Sequence, residues 1–413
     1  MAEPSTATTL AVRPQPLGAF PLPAGYLLVP AGEDTEEART ALLAGRLPDE
    51  WPDRMRAHEL AVAGDREGAL AALSDVDPVS RYNRFVLDPD GVDRDLLRAE
   101  LGDLGALVDL VSFVLGNADT PPELGLAYGE MAALVLSAQA AHALGTGQTV
   151  EALRLLDEAA ALAKPVAPPL AGFLLGAAAA VSDNPVDRLE QALRLLKDAD
   201  GLRIGRAELH LSLAGALHEQ PFGLGRAIPH YHTTLQLVLR AEAPELWASA
   251  HANLAAAYLT MPMTEASDQL RLGVAVQSLR NALKVYTPET HPEQWASTQL
   301  NLANSLVYTP SKHQADNLVE AVELYEAVLA MRDRETDPLG RARVLANQGN
   351  VLAHLGMFDH AKAKLYEARY LFEEFADDES VRAVRGVLDE VARQQALLKS
   401  AAVGDGNPTE DLR

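Results

Sequence analysis

From residue 205 to about 375 the chain alternates small and large apolar residues at helical spacing, and the alternation itself repeats. Arg206, Trp247, Trp295 and Arg341 each open a segment, reading LHLSLAGAL, SAHANLAAAY, STQLNLANSL and RVLANQGNVL, at offsets of 41, 48 and 46 residues. A second amphipathic stretch follows each one. Its small and large positions are Ala227, Tyr231 and Thr234, then Ala275, Leu279 and Ala282, then Ala321, Tyr325 and Val328, and finally Ala361, Leu365 and Ala368. Residues three and four apart share a helix face, so each repeat predicts two amphipathic helices. A helix pair of this length buries its apolar face by stacking on the next pair, which is the logic of a solenoid.

The pattern thins toward the N-terminus. Residues 1–34 carry Pro4, Pro14, Pro16, Pro21, Pro23 and Pro30, which deny a helix its backbone donors and favour extended chain. They read as a Pro-rich extended arm, flexible apart from the adhesive run Tyr26-Leu27-Leu28-Val29, or else as a lid. Residues 35–120 form a helical N-terminal section with one clear pair, residues 53–63 and 66–73, turning at Gly64-Asp65. Between Val79 and Asp95 the periodicity breaks and predicts an irregular crossing. Asp88, Asp90, Asp93 and Asp95 within it lack the glycine position and distal Glu of an EF-hand, and read as helix caps. Residues 121–200 hold two degenerate pairs, 124–143 with 150–162 and 170–181 with 186–199. Residues 201–376 hold the four clear pairs, 377–400 a closing helix with a charged outer face, and 401–413 a polar tail.

Composition narrows the function classes. Of the 413 residues 58 are acidic and 35 basic, a net charge of −23, which disfavours a nucleic-acid partner because phosphate contacts need clustered Lys and Arg. With no cysteine there is no disulfide, thiolate nucleophile or Cys-ligated metal. The first residues lack the basic flank and apolar core of a secretory signal, and the most apolar run, 170–181, is far shorter than the roughly 20 residues that span a bilayer. These features predict a cytoplasmic chain with no membrane partner.

The clearest repeat is Leu345-Ala346-Asn347-Gln348-Gly349-Asn350-Val351-Leu352, then Leu355-Gly356, then Ala361, Leu365 and Ala368. It resembles the tetratricopeptide repeat, strongly across 205–375, moderately across 124–200 and weakly before. The resemblance implies an all-α fold, a right-handed α-solenoid of stacked antiparallel helix pairs, with Ala214, Ala255, Ala303 and Gly349 where the two helices of a pair touch most closely. Two departures stand out. Extra residues around 261–264 and 308–313 lengthen two repeats beyond the usual 34, and His210 and His251 replace a bulky residue.

In that family the first helix of each repeat lines an inner groove. Carried onto this chain, the groove comprises Glu208, Leu211 and His218, then Ser249 and Asn253, then Ser297, Leu300, Asn301 and Asn304, then Arg343, Asn347 and Asn350. Asn253, Asn301 and Asn347 share one repeat position. Each amide offers two donors and one acceptor, suited either to gripping the backbone of an extended peptide or to bonding within the repeat. Some relatives clamp acidic C-terminal tails with Lys and Arg. Leu211, Ala252, Leu300 and Ala346 stand at those places, so the expected partner is a protein or peptide segment without an acidic tail.

His210 and His218 lie roughly 12 Å apart along one helix, too far to share a metal ion, and neither HExxH nor a compact His-carboxylate motif occurs. No Walker loop, dinucleotide fingerprint or nucleophile elbow is present. The expectation is therefore a non-enzymatic interaction scaffold or adaptor without cofactor or metal, in the manner of an accessory or assembly factor. A ligand- or peptide-responsive regulator is the alternative, and self-association stays open.

Overall fold

Residues 14–74, 76–262, 268–309 and 312–404 are described by the computed structural model. Residues 1–13 of the expected arm, 405–413 of the expected tail, and 263, 264, 310 and 311 of the two repeat-lengthening insertions lie outside them. The chain contacts divide it into two units, Met1–Val238 and Leu239–Arg413.

The first unit opens on a short hairpin, β1 (Gln15–Pro16) paired antiparallel with β2 (Leu28–Val29), the one sheet among the described residues. Twelve α-helices follow in this unit: α1 (Glu36–Leu43), α2 (Arg56–Val62), α3 (Arg66–Ala72), α4 (Pro78–Leu87), α5 (Arg94–Leu101), α6 (Ala106–Val114), α7 (Gly129–Gly145), α8 (Thr149–Ala163), α9 (Pro168–Ala180), α10 (Pro185–Leu195), α11 (Arg203–His218) and α12 (Leu224–Leu237). The pairs α2/α3, α7/α8, α9/α10 and α11/α12 pack most closely, and α8 on α9 and α10 on α11 stack each pair on the next. Apolar on all sides, α9 is buried through Leu170, Ala171, Leu174, Leu175 and Ala178. A methyl added at Gly172 would lie 2.1 Å from Leu196 Cδ1, so glycine permits the close approach of α9 to α10 within the pair.

Three local findings differ from the sequence reading. The expected crossing after Val79 is largely helix: Asp77 accepts from the Ser80 amide, Pro78 stands in the first turn, and Tyr82, Phe85 and Val86 turn inward. The capping reading of the acidic run that follows does describe Asp93, which accepts from the Leu96 amide to start α5. Second, the helix expected from 124 starts only at Gly129, because Pro121, Pro122 and the left-handed Gly125 and Gly129 hold the chain out of helical geometry.

Third, the N-terminal segment is docked from residue 15 onward. Leu17, Leu27, Leu28 and Val29 are buried. On the side of β2 away from β1, the Leu28 amide donates to Asn83 Oδ1 at 2.7 Å and the Leu28 carbonyl accepts from Asn83 Nδ2 at 2.9 Å. A side-chain carboxamide thus stands in for the next strand and satisfies edge groups that burial would leave orphaned. His58 Nε2 reaches the same carbonyl at 2.9 Å, and Gln15 Nε2 donates to Glu130 on α7 at 3.2 Å.

The second unit holds α13 (Pro244–Thr260), α14 (Asp268–Ala282), α15 (Pro292–Tyr308), α16 (Gln314–Met331), α17 (Pro338–His354), α18 (Phe358–Glu374) and α19 (Asp378–Gly404). Proline in the first turn opens α13, α15 and α17, where its missing amide costs no helical bond. The pairs α13/α14, α15/α16 and α17/α18 stack through α14 on α15 and α16 on α17, and α18 carries α19. The inward positions read from the repeat pattern form the core: Ala275, Leu279, Ala321, Tyr325, Val328, Ala361, Leu365 and Ala368 are all buried. At Gly349 a Cβ would sit 2.7 Å from Leu365 Cγ, which is why the smallest residue occupies the closest approach within the last pair. Helix α19 buries Val381, Val384, Leu388 and Val391 and exposes Arg382, Arg385, Asp389 and Arg393, the polar outer face that ends a stack. In architecture the described chain is all-α apart from the small hairpin, a tetratricopeptide-like array of consecutive antiparallel helix pairs.

Candidate functional site

Because α13 and α15 begin the same way and lie in successive pairs, residues 48 apart occupy equivalent places: Ser249 with Ser297, and Asn253 with Asn301. Within each helix the two are four residues apart and share a face. These four side chains line one open pocket of about 390 Å³ in the second unit. Ala252 and Ala256 keep its floor low on α13, while Gln294 and Thr298 extend its polar rim along α15. Tyr286, just beyond α14, closes one side together with Leu279.

The pocket is polar but nearly uncharged. Glu293 is its one acidic lining residue, and no Lys, Arg or His lines it. Burial raises the Tyr286 hydroxyl above its ordinary value, with a hydrogen bond from Ser249 working the other way, so the phenol stays neutral at pH 7. Among the described residues the Asn253 and Asn301 amide groups have no hydrogen-bond partner, and both side chains are only half-buried. Amides without a protein partner on a concave surface are donors and acceptors open to another molecule.

The third asparagine of the series behaves differently. Asn347 Nδ2 donates to Asn304 Oδ1 at 3.1 Å, and the same oxygen accepts the Tyr325 hydroxyl at 2.6 Å. Asn304 and Asn347 therefore tie α15, α16 and α17 together. Burial holds the Tyr325 phenol well above its usual range, so it remains a donor. Asn350 lines a separate cavity of about 270 Å³ with His354, Glu390 and Gln394. Leu300 packs against the core, and Arg343 is exposed near Asp377. Asp377 is held below the usual carboxylate range chiefly by its bonds from Ser380, with a smaller effect of Arg343.

Glu208, Leu211 and His218 lie on α11 in the first unit. Partial burial raises the Glu208 carboxyl, Leu211 is half-buried, and His218 Nδ1 bonds the Tyr231 hydroxyl at 3.2 Å across the α11/α12 pair. His210 meets His230 rather than His218, with Nδ1 atoms 2.9 Å apart. The ring centroids are 5.1 Å apart and the planes only 29° off parallel, so the two imidazoles meet head to head, one donating N–H to the other. Desolvation, then the neighbouring imidazole and Arg206, push His210 down to about 4, and desolvation lowers His230. His251, the other histidine at a bulky position, packs edge-on against Trp247 with centroids 4.3 Å apart and bonds Asn281 through Nε2 at 3.3 Å. No cluster of three or more potential metal ligands occurs among the described residues.

Sequence reasoning missed Tyr286, Gln294 and Glu293. Gln294, Ser297 and Asn301 follow the i, i+3, i+7 spacing of one helix face, a signal legible in the chain. Tyr286 lies past its helix, and only the closure of the pair brings it to the pocket.

No family model and no curated protein matches the sequence. Among solved structures, the apo form of RapI is similar at 14% identity, over 83% of this chain and 97% of that one, with a TM-score of 0.46. A signal-transduction ATPase with numerous domains from Pyrococcus horikoshii, carrying a tetratricopeptide repeat sensor, is similar at 13% identity and a TM-score of 0.38. That match covers 86% of this chain and 58% of the other. No helix among the described residues is long and apolar enough to cross a membrane.

Proposed function

We propose that the chain is a non-enzymatic interaction scaffold that holds an extended segment of a partner protein against α13 and α15. The supporting observation is the pair of amides without a protein partner, Asn253 and Asn301, set with Ser249 and Ser297 around one pocket whose single charged lining residue is Glu293. A peptide backbone presents alternating N–H and C=O groups, and a carboxamide can pair with both. Recognition of this kind is tolerant of sequence, while the pocket walls at Leu279 and Tyr286 favour a small or aliphatic side chain beside the gripped backbone. A terminal carboxylate has no cation to meet there, so an acidic tail is not the ligand. The partner is a neutral segment of another protein in the same cytoplasmic compartment, and the scaffold works without cofactor or metal.

Co-purification from the native cell, quantified by mass spectrometry, tests this reading. The wild-type chain should retain a reproducible protein partner, and Asn253→Ala with Asn301→Ala should lose it while melting at the same temperature. Equal recovery of the partner on the folded double variant would refute the amide grip.

A further inference from the structure

Two Asp-Gly pairs fall within the described residues, Asp90-Gly91 and Asp200-Gly201, and their surroundings differ. In such a pair the glycine nitrogen can attack the carboxyl carbon of the aspartate side chain and close a five-membered ring. Glycine favours the closure because it brings no side chain against the ring and leaves the backbone free to turn. In the sequence alone the two pairs are equivalent.

Asp90 and Gly91 lie in the turn between α4 and α5, and both are exposed. The Asp90 amide donates to Asp88 Oδ1 at 3.4 Å, while the Gly91 amide and the Asp90 carboxylate have no hydrogen-bond partner among the described residues. Gly91 is in left-handed backbone, at φ 74°, and a methyl built on it would meet no atom within 4 Å. Nucleophile and electrophile are adjacent and unengaged, with room around them for the ring. At the second pair the Gly201 amide donates to the Gly45 carbonyl at 3.0 Å, and Asp200–Leu202 is one turn of 3-10 helix. The Asp200 side chain is 87% exposed, so exposure does not protect it, but its carboxylate pairs with Arg206 at 3.1 Å. Ring closure there would break both the bond to Gly45, which ties the loop after α1 to the start of α11, and the pair with Arg206.

We infer that Asp90 is a site of spontaneous isomerisation in the folded protein and that Asp200 is not. The Gly91 nitrogen bonds to Asp90 Cγ, the amide hydrogen and the carboxyl hydroxyl leave as one water molecule, and a succinimide joins the two residues. One water then adds back. Opening at the side-chain carbonyl restores aspartate. Opening at the main-chain carbonyl leaves isoaspartate, in which the main chain runs through Cβ and Cγ and the α-carboxylate becomes the side group. Nothing is oxidised or reduced. A carboxylic acid gives up hydroxyl more readily than a carboxylate gives up oxide, so mild acid speeds the closure. The Arg81 guanidinium donates to Glu100 at 2.8 Å and ties α4 to α5, so the lengthened turn leaves the two helices together. The site is independent of the asparagine pocket in the second unit.

Peptide mapping of the full-length protein, aged in mildly acidic buffer with and without denaturant, tests the inference. Electron-transfer fragmentation distinguishes isoaspartate from aspartate at each site. In the native protein isoaspartate should accumulate at Asp90 about tenfold or more faster than at Asp200, the scale of one hydrogen bond together with one ion pair. In denaturant the two sites should react at similar rates, because the chain no longer holds the Gly201 amide. Asp90→Glu, which would have to close a larger and slower ring, should remove the signal at that site without lowering the melting temperature. Native protein that forms no isoaspartate at Asp90, whatever the denatured chain does, would overturn the inference. So would native protein in which Asp200 isomerises as fast as Asp90.

Discussion

Asn347 donates to Asn304, and Asn304 accepts the Tyr325 hydroxyl, while Asn253 and Asn301 at equivalent places keep their amides unpaired. One residue type at one repeat position therefore does two jobs, and substitution separates them. Asn347→Ala removes an internal hydrogen bond and should lower unfolding free energy by about 1 kcal/mol with little effect on partner binding. Urea denaturation compared with binding on the same sample checks both halves. His58 offers a second test. Burial drives it down to about 4, against the opposing bond to the Leu28 carbonyl. Its folded value lies below the unfolded one, so as pH falls below about 6.5 the unfolded chain takes up a proton that the folded chain refuses. Stability from this group is complete above that pH and is lost progressively down to about pH 4, by up to about 3 kcal/mol. His58→Gln should flatten that part of the pH–stability curve in denaturant melts, leaving the contribution of His210. An unchanged slope would place the proton uptake elsewhere.

Helices with strong local signals were legible. The four clear pairs, the small residues at their contacts and the charged closing helix follow from the i, i+3, i+4 pattern, because each repeat specifies its own fold and its packing on its neighbours. Legibility failed where structure depends on distant contacts. Nothing near Leu28 announces that Asn83, 55 residues away, pairs with its backbone, and the Pro-rich composition alone predicts a loose arm. Asp77 and Pro78 open an α4 of only ten residues, too short for its apolar period to stand out from the irregular chain that follows. The site was half legible: the family groove named Ser249, Asn253, Ser297 and Asn301, which do meet, but could not tell these asparagines from Asn347. Close packing within a pair is testable at this scale. Gly349→Val would place a Cβ 2.7 Å from Leu365 Cγ and add two branch carbons to it, and overpacking of this kind typically costs about 1–3 kcal/mol. Calorimetry should show the loss; a neutral result would mean that α17 and α18 can separate freely.

At the scale of the whole chain, the stacked helix pairs and the excess of acidic residues form the setting of the proposed grip on a partner segment. The −23 charge keeps such a surface soluble and disfavours anionic partners. On the proposed reading, the pocket between α13 and α15, with Glu293 its single charged lining residue, supplies specificity that the overall charge cannot. The central claim is that Asn253 and Asn301 grip a partner backbone, and the most direct measurement is the affinity of a captured partner segment for three forms of the protein. Wild type and Asn347→Ala should bind alike. The Asn253→Ala, Asn301→Ala double variant should lose about 2 kcal/mol, two hydrogen bonds at about 1 kcal/mol each, or roughly thirty-fold in Kd. Equal affinity of the double variant and wild type, with both folded, would contradict the account.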